Sequence, residues 1–308
     1  MRKKKGRRTT ILLVIIFLVG LSVMLYPTVA DLWNRHLQGK AIAEYQQKVS
    51  EMSEDKSAEL MERARRYNDA LSRVANPIKN YAEAEGYDTI LDISGTGIMG
   101  YISIPVIGVE LPIYHGTSEG VLNVAVGHLQ GTSLPVGGKG THAVISAHRG
   151  LPSARLFTDL DKLVEGDEFT ITVLKEVFTY EVDEISIVLP YEYDKLVIDP
   201  DKDLVTLMTC TPYGINTHRL LVRAHRIRTR TADTEAEEEP ELKVMPDAVI
   251  LDSMSVVPFI AAVPAAILIG WWLFGGKKKR FPYENPLSVL DDDKDKKQQD
   301  KDTADPEE

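Results

Sequence analysis

The chain has 308 residues, 44% of them hydrophobic, and a formal net charge of −10. That supplies enough apolar material for a sizeable core in one or two domains. A single cysteine excludes an intramolecular disulfide framework, and the acidic balance disfavours nucleic acid as a partner.

The apolar residues are unevenly placed. Six Lys and Arg residues occupy positions 2 to 8, and Ile11 to Ala30 then runs without a charge. Twenty apolar residues cross a bilayer core. A cleaved signal peptide is the competing reading, but its apolar region is usually shorter, and no persuasive small-x-small cleavage site precedes Asp31. From Asp31 to about Ser72 strong helix formers dominate without a proline, which predicts one or two helices linking membrane to domain. Past Pro77 a Tyr/Glu/Asp segment leads to Ser94-Gly95-Thr96-Gly97, where the helical composition stops.

Short strands and turns follow. Strands are predicted over 98–104, 109–114, 143–146, 168–174, 177–189, 204–209 and 219–227, with a short helix over 153–163. That spacing argues for a sandwich or closed barrel. Beyond Arg230 an acidic run, Glu235 to Glu241, reads as a linker. A second uncharged run, Met254 to Phe274, ends near Trp271 and Trp272 and is followed by Lys277-Lys278-Lys279-Arg280. A buried core helix competes, but the basic block and paired Trp fit a membrane interface better. Both spans carry basic clusters on their outer sequence sides, so both termini are expected in the cytoplasm and residues 31 to about 252 outside. Residues 281–308 are highly charged and read as disordered. Residues 2–8 carry +6, 277–280 carry +4 and 281–308 carry −6, so the remainder holds −14.

The expected segments are therefore a basic N-terminus (1–10), a span (11–30), a helical external segment (31–94), a β-domain (95–230), an acidic linker (231–253), a second span (254–274) and a charged tail (275–308).

The lone cysteine sits in Thr209-Cys210-Thr211-Pro212-Tyr213-Gly214, at the end of the apolar run Leu204 to Thr209. A free cysteine is commonly a small buried hydrophobe. An unpaired thiol outside the cell is, however, a candidate nucleophile, and cations nearby favour its thiolate form. The next strand begins at Arg219, where Leu220, Val222 and Ala224 share one face and Arg219 and Arg223 the other. A nucleophilic thiol needs a proton partner and an oxyanion donor. Of seven histidines, His36 lies in the juxtamembrane helix. His148 follows a strand and occupies a strand-end position like that of Cys210; His218 is nearer in sequence but lies in a loop, and the residues rank the two only narrowly. Metal-ligand spacings, Gly-x-Ser-x-Gly and phosphate-binding glycine loops are all missing from the sequence.

The stretch Thr206-Leu207-Met208-Thr209-Cys210 resembles the Thr-Leu-x-Thr-Cys signature of sortases. Its continuation, Thr211-Pro212-Tyr213-Gly214-Ile215-Asn216-Thr217-His218-Arg219-Leu220-Leu221-Val222-Arg223, is similar to the pilus-assembling class C. Ser146-Ala147-His148-Arg149-Gly150-Leu151-Pro152, Leu111-Pro112-Ile113-Tyr114-His115-Gly116-Thr117 and Gly127-His128-Leu129 agree in order and spacing, from about Gly95 to Ile227. The resemblance implies an all-β fold, a closed sortase-type barrel of about eight strands, with an N-terminal helical segment and two flanking transmembrane helices. It implies a cysteine transpeptidase with Cys210 as nucleophile, His148 as proton shuttle and Arg219 as oxyanion and substrate donor. Thr209 and Thr211 are further substrate or oxyanion candidates, and no metal or organic cofactor is required. The implied partners are Leu-Pro-x-Thr-Gly-bearing pilins or surface proteins and a lysine amine of another pilin. Alternatives are anchoring to a cell-wall precursor and a catalytically idle envelope-binding barrel. A papain-like hydrolase would place the cysteine before the histidine, the reverse of the order here.

One departure stands out. Class C sortases usually carry a lid with an Asp-Pro-aromatic motif upstream of the barrel, and no such triplet lies between Asp31 and Gly95. Asn76-Pro77-Ile78 comes nearest. A shortened lid, one rebuilt from 81–93, and no lid all remain open, and no lid residue is carried over.

Overall fold

The computed structural model describes residues 3–231. The expected linker, second span and tail lie outside the described residues.

Eight strands close into a barrel in the order β1-β2-β3-β4-β7-β8-β6-β5. They are β1 (Ile98–Ile104), β2 (Val109–His115), β3 (Val126–His128), β4 (Thr141–Ser146), β5 (Glu168–Val173), β6 (Glu176–Val188), β7 (Asp203–Thr211) and β8 (His218–Thr231). Alternation fixes the faces. Ala143, Ile145 and Ala147 at β4, Val205 and Leu207 of β7, and Leu220, Val222 and Ala224 of β8 point into the main core; the intervening residues face outward. Most pairs are antiparallel, but β2–β3 and β4–β7 are parallel, the latter with Val144 opposite Thr206 and Ser146 opposite Met208.

Two helices precede the barrel. α1 (Lys3–Ser50) is continuous from the apolar run into the domain. Its first part is long and apolar enough to cross a membrane, with Ile11 to Ile16 exposed. α2 (Glu54–Leu71) is capped by Ser53, whose hydroxyl accepts from the Lys56 N–H at 3.3 Å, and opens with Glu54 and Asp55 against the positive helix end. Its buried face of Met61, Ala64, Tyr67 and Leu71 packs on the barrel. Asn68 there donates to Leu134 O at 3.0 Å and accepts from Leu134 N at 2.7 Å, satisfying a backbone edge that α2 would otherwise cover dry. A short turn α3 (Pro77–Asn80) and a four-residue α4 (Glu119–Leu122) complete the α-helices among the described residues.

Three local expectations change. Residues 153–163 form turns and a single 3-10 turn at Leu160–Lys162 rather than a helix; Leu156 adopts φ +42° and interrupts any helical run. β3 escapes prediction because three residues are too few to show alternation. The cysteine strand extends one residue past the thiol, to Thr211.

Candidate active site

The outer face of β4, β7 and β8 carries the residues of interest. Cys210 and Arg219 are directly opposed Cα partners in the β7–β8 ladder, and both point outward by the alternation above. On the other side of β7, the ladder continues past Ser146 opposite Met208 with the Ala147 N–H donating to Met208 O at 3.1 Å. This carries His148 to the level of Cys210. His148, Cys210 and Arg219 therefore form one row across three neighbouring strands, each half-buried. His218, the rival histidine, is opposite Thr211, and its Nδ1 lies 2.9 Å from the neighbouring Thr217 hydroxyl.

Each member of the row is held by its surroundings. The Arg219 Nη1 donates to His218 O at 3.1 Å and Asn216 O at 3.4 Å. Among the described residues no hydrogen bond engages its Nε or Nη2, so most of its donor fork is left for a ligand. The His148 carbonyl accepts from the Phe157 N–H at 3.2 Å. Thr209 is buried on the inner face, and its hydroxyl donates to Ala147 O at 2.8 Å; it joins β7 to the strand that bears His148. Thr211 is buried on that same face, and its bond to Pro212 is cis.

One contact without a local signature in the sequence joins the loop after His148 to the loop after Cys210. The Arg149 guanidinium lies 5.9 Å from the Tyr213 ring centroid and pairs with Asp161 at 2.5 Å. Gly150, at φ +79°, has the Tyr213 ring so close that an added Cβ would stand 3.0 Å from it. The loop after His148 and the loop after Cys210 thus pack face to face. Both segments stand in the sequence, as His148-Arg149-Gly150 and Pro212-Tyr213-Gly214, but pairing the two required the fold.

Beside the row the outer face carries an apolar strip, which would lie open as a groove without α3. Val144, Leu196 and Leu221 form its buried floor, with Leu129, Val188 and Met208 packed around them. Ile78 of α3 packs onto it. The fit needs a glycine beneath: a Cβ on Gly131 would come within 2.5 Å of Pro77 O and 2.6 Å of the Ile78 Cα. In this structure Asn76-Pro77-Ile78 thus lies over the apolar strip. The 81–93 stretch is not the cover, since Ala84, Tyr87, Ile90 and Leu91 lie in the main core.

The far end of the groove is tied by His142. Its Nδ1 lies 3.0 Å from Val197 O and its Nε2 2.7 Å from the Thr206 hydroxyl. This fixes the β6–β7 connection, and with it Leu196, to the floor. Burial holds the His142 pKa below its ordinary value, against the Val197 hydrogen bond that raises it, so the neutral ring serves as the tie. Among the described residues no group of three or more His, Cys, Asp or Glu side chains is placed to hold a metal.

A Sortase domain profile matches residues 102–227. Among curated proteins, the chain is 32% identical over 143 residues to Sortase A of Streptococcus agalactiae serotype III (strain NEM316), covering 46% of this chain and 57% of that protein. It thus spans little more than half the length of that relative. Among solved structures, sortase C1 from Streptococcus agalactiae superposes with a TM-score of 0.57 at 48% identity, covering 61% of this chain and 98% of the other. Clostridium perfringens sortase C, solved with the C-terminal cell wall sorting motif, gives 0.54 at 44% identity over 61% and 98%. With the closed eight-stranded barrel and its near-complete overlap with class C structures, the chain belongs to the sortases, a family of cysteine transpeptidases.

Proposed function

We propose that this protein is a membrane-anchored class C transpeptidase that cleaves a Leu-Pro-x-Thr-Gly-type signal between Thr and Gly and joins the acyl fragment to a lysine amine of a pilin. The observation that carries this reading is the row of His148, Cys210 and Arg219 at the end of an apolar groove. The sorting motif bound to the Clostridium perfringens enzyme supports the donor class, and the apolar N-terminal helix supports the anchor.

The chemistry follows from the groups. The Cys210 thiolate attacks the Thr carbonyl carbon, and the carbonyl oxygen takes the negative charge. Arg219, with Nε and Nη2 unengaged, donates to that oxyanion, where a fixed cationic donor is worth most. The C–N bond to Gly breaks as His148 gives the leaving amine its proton. A thioester remains on Sγ. In the second half the lysine ε-amine attacks the thioester carbonyl, its proton passes to His148, and the thiolate leaves. The product is an isopeptide bond, and the thiolate is regenerated. Water in place of the amine gives hydrolysis, so excluding it favours transfer. The groove floor suits the apolar Leu and Pro of the signal, which is the space that Ile78 now fills.

Incubating the full chain in detergent with a Leu-Pro-x-Thr-Gly peptide and following intact mass tests the reading. An acyl adduct that is lost in Cys210→Ala supports it. Adding lysine-bearing and glycine-bearing amines then separates pilin joining from wall anchoring. If no adduct forms with any signal variant, even when Ile78 is replaced, the idle barrel becomes the better account.

A further inference from the structure

The helix that leaves the apolar run is fastened to the domain from its first polar turn. Asp31 Oδ1 accepts from the Arg155 N–H at 2.8 Å, Asn34 Nδ2 donates to Ser153 O at 2.8 Å, and Gln38 Nε2 donates to Val124 O at 2.6 Å. Higher up, the buried Tyr45 hydroxyl donates to Met99 O at 3.1 Å and accepts from Leu174 N at 2.8 Å. Residues 31, 34, 38 and 45 recur at helical spacing and share one face. Because α1 is unbroken over this stretch, no flexible linker separates the apolar run from the barrel.

Height follows from helix geometry. The rise is about 1.5 Å per residue, and the polar layer of one leaflet is roughly 5 to 7 Å deep. Asp31 is the first charge after Ile11 to Ala30, so Asp31 to Asn34 stand within that layer. Ser153 and Arg155, bonded to them, stand there too. An anchor tilt of about 20° changes this height by less than a tenth.

Two features at this level agree. Leu32 and Trp33 are 62% and 64% exposed on the helix, and an indole there is suited to a membrane interface. A cleft of about 370 Å³ opens beside them, lined by Asp31, Arg35, Gln38, Arg155 and Asp159 among others. Its guanidiniums are paired, Arg35 with Asp31 at 2.9 Å and Arg155 with Asp159 at 2.6 Å. Glu110 also lines the cleft, so the surface holds no surplus of positive charge and has no need of anionic lipid.

We propose that the loop 151–155, with the first polar turn of α1, is a membrane-apposed face seated among the phospholipid headgroups of the bilayer that holds the anchor. This rests on reading α1 as an uncleaved anchor. The loop begins three residues after His148, so the candidate site is held at a fixed height just above the lipid. An acyl donor must then bring its scissile bond down to the membrane surface.

Depth measurement by spin labelling tests this in the full chain, reconstituted in phosphatidylcholine nanodiscs with Cys210→Ala to remove the only native thiol. Labels go on Pro152→Cys or Ser153→Cys in separate samples. Lys139→Cys, on the exposed turn at the opposite end of β4, serves as the water reference, and Gly20→Cys as the hydrocarbon reference. The 152 and 153 labels should be reached by a water-soluble nickel chelate about threefold less than the Lys139 label, yet take up less dioxygen than the Gly20 label, as polar-layer residence requires. Nickel access equal to that at Lys139, with Gly20 in hydrocarbon, overturns the proposal. An aqueous Gly20 label overturns the anchor reading itself. Protection that appears only when phosphatidylglycerol is added would refute a contact that is independent of anionic lipid.

Discussion

Cys210 on β7 and Arg219 on β8 are opposed Cα partners, although nine positions separate them in the chain. The loop between them brings a thiol and a guanidinium to one face at cross-strand distance, with Arg219 in turn opposite Val188 of β6. Arg219→Ala should slow acyl-enzyme formation by about 10² to 10³, the usual cost of an oxyanion donor. Arg219→Lys should recover little of it, because an ammonium lacks the planar fork. Adduct formation followed by intact mass decides this; near-normal rates in both variants would remove Arg219 from the chemistry.

The packing of Gly150 against Tyr213 makes loop registration testable. Gly150→Ala must place a Cβ 3.0 Å from the ring at φ +79°, which should cost roughly 1 to 2 kcal/mol and slow acylation about tenfold. Tyr213→Phe keeps the ring beside Arg149 and should stay within about twofold of the parent, whereas Tyr213→Ala should resemble the glycine variant. Thermal unfolding measured beside the acylation rate separates the two effects. If Tyr213→Ala acylates normally, the loop contact is structural only.

Under the proposed function, Ile78 occupies the apolar space that the acyl donor enters. Ile78→Ala removes most of an aliphatic contact with Val144, Leu196 and Leu221 and weakens the cover by about 1 to 2 kcal/mol. The expected result is an acylation rate raised about tenfold at subsaturating peptide. Gly131→Ala should act in the same sense, because its Cβ would strike Pro77 O and the Ile78 Cα. A slower rate in both variants would show that α3 helps to form the donor site.

His128 sets an acid limit on stability. It is wholly buried, with Nε2 2.8 Å from Ser133 O and Nδ1 2.9 Å from the Tyr87 hydroxyl. Burial pushes its pKa down to about 4, with the Ser133 hydrogen bond opposing. The unfolded chain therefore takes up this proton at higher pH than the folded one. The contribution is complete above about pH 6.5 and is lost as pH falls toward 4, an effect of about 3 kcal/mol. His142, also lowered by burial, acts in the same sense. Unfolding of the full chain in detergent between pH 7.5 and 4.5 should show the loss, and His128→Gln should flatten the slope. A parent stability independent of pH across that window would contradict the assignment.

How much of this was legible beforehand depends on whether the signal is local. The apolar run to Ala30, the helix formers to Ser72 and the alternation in Arg219 to Ala224 are set by chain-neighbour physics, and the elements formed where composition placed them. The Thr206 to Cys210 signature pointed to the barrel through resemblance. Other features had no local signature. β3 is too short to alternate, and the turns over 153–163 follow from the left-handed backbone at Leu156 rather than from propensity. Asn76-Pro77-Ile78 lacks the aromatic that marks a lid, yet Ile78 fills the groove because the backbone of Gly131 leaves room for it.

The chain alone set the available chemistry: one thiol, seven histidines and an arginine at a strand start, behind an apolar N-terminal run. The resemblance to sortases singled out His148, but composition and spacing did not, and its level with Cys210 comes from the fold. Strand β4 is far from β7 in the chain, and their parallel register, set by which alternate residues enter the core, carries His148 rather than His218 into the row. The same holds for the helix bonded to the loop beyond His148. Hydrogen bonds between residues more than a hundred positions apart, such as Asn34 to Ser153, depend on closure of the whole barrel, and no local pattern encodes them.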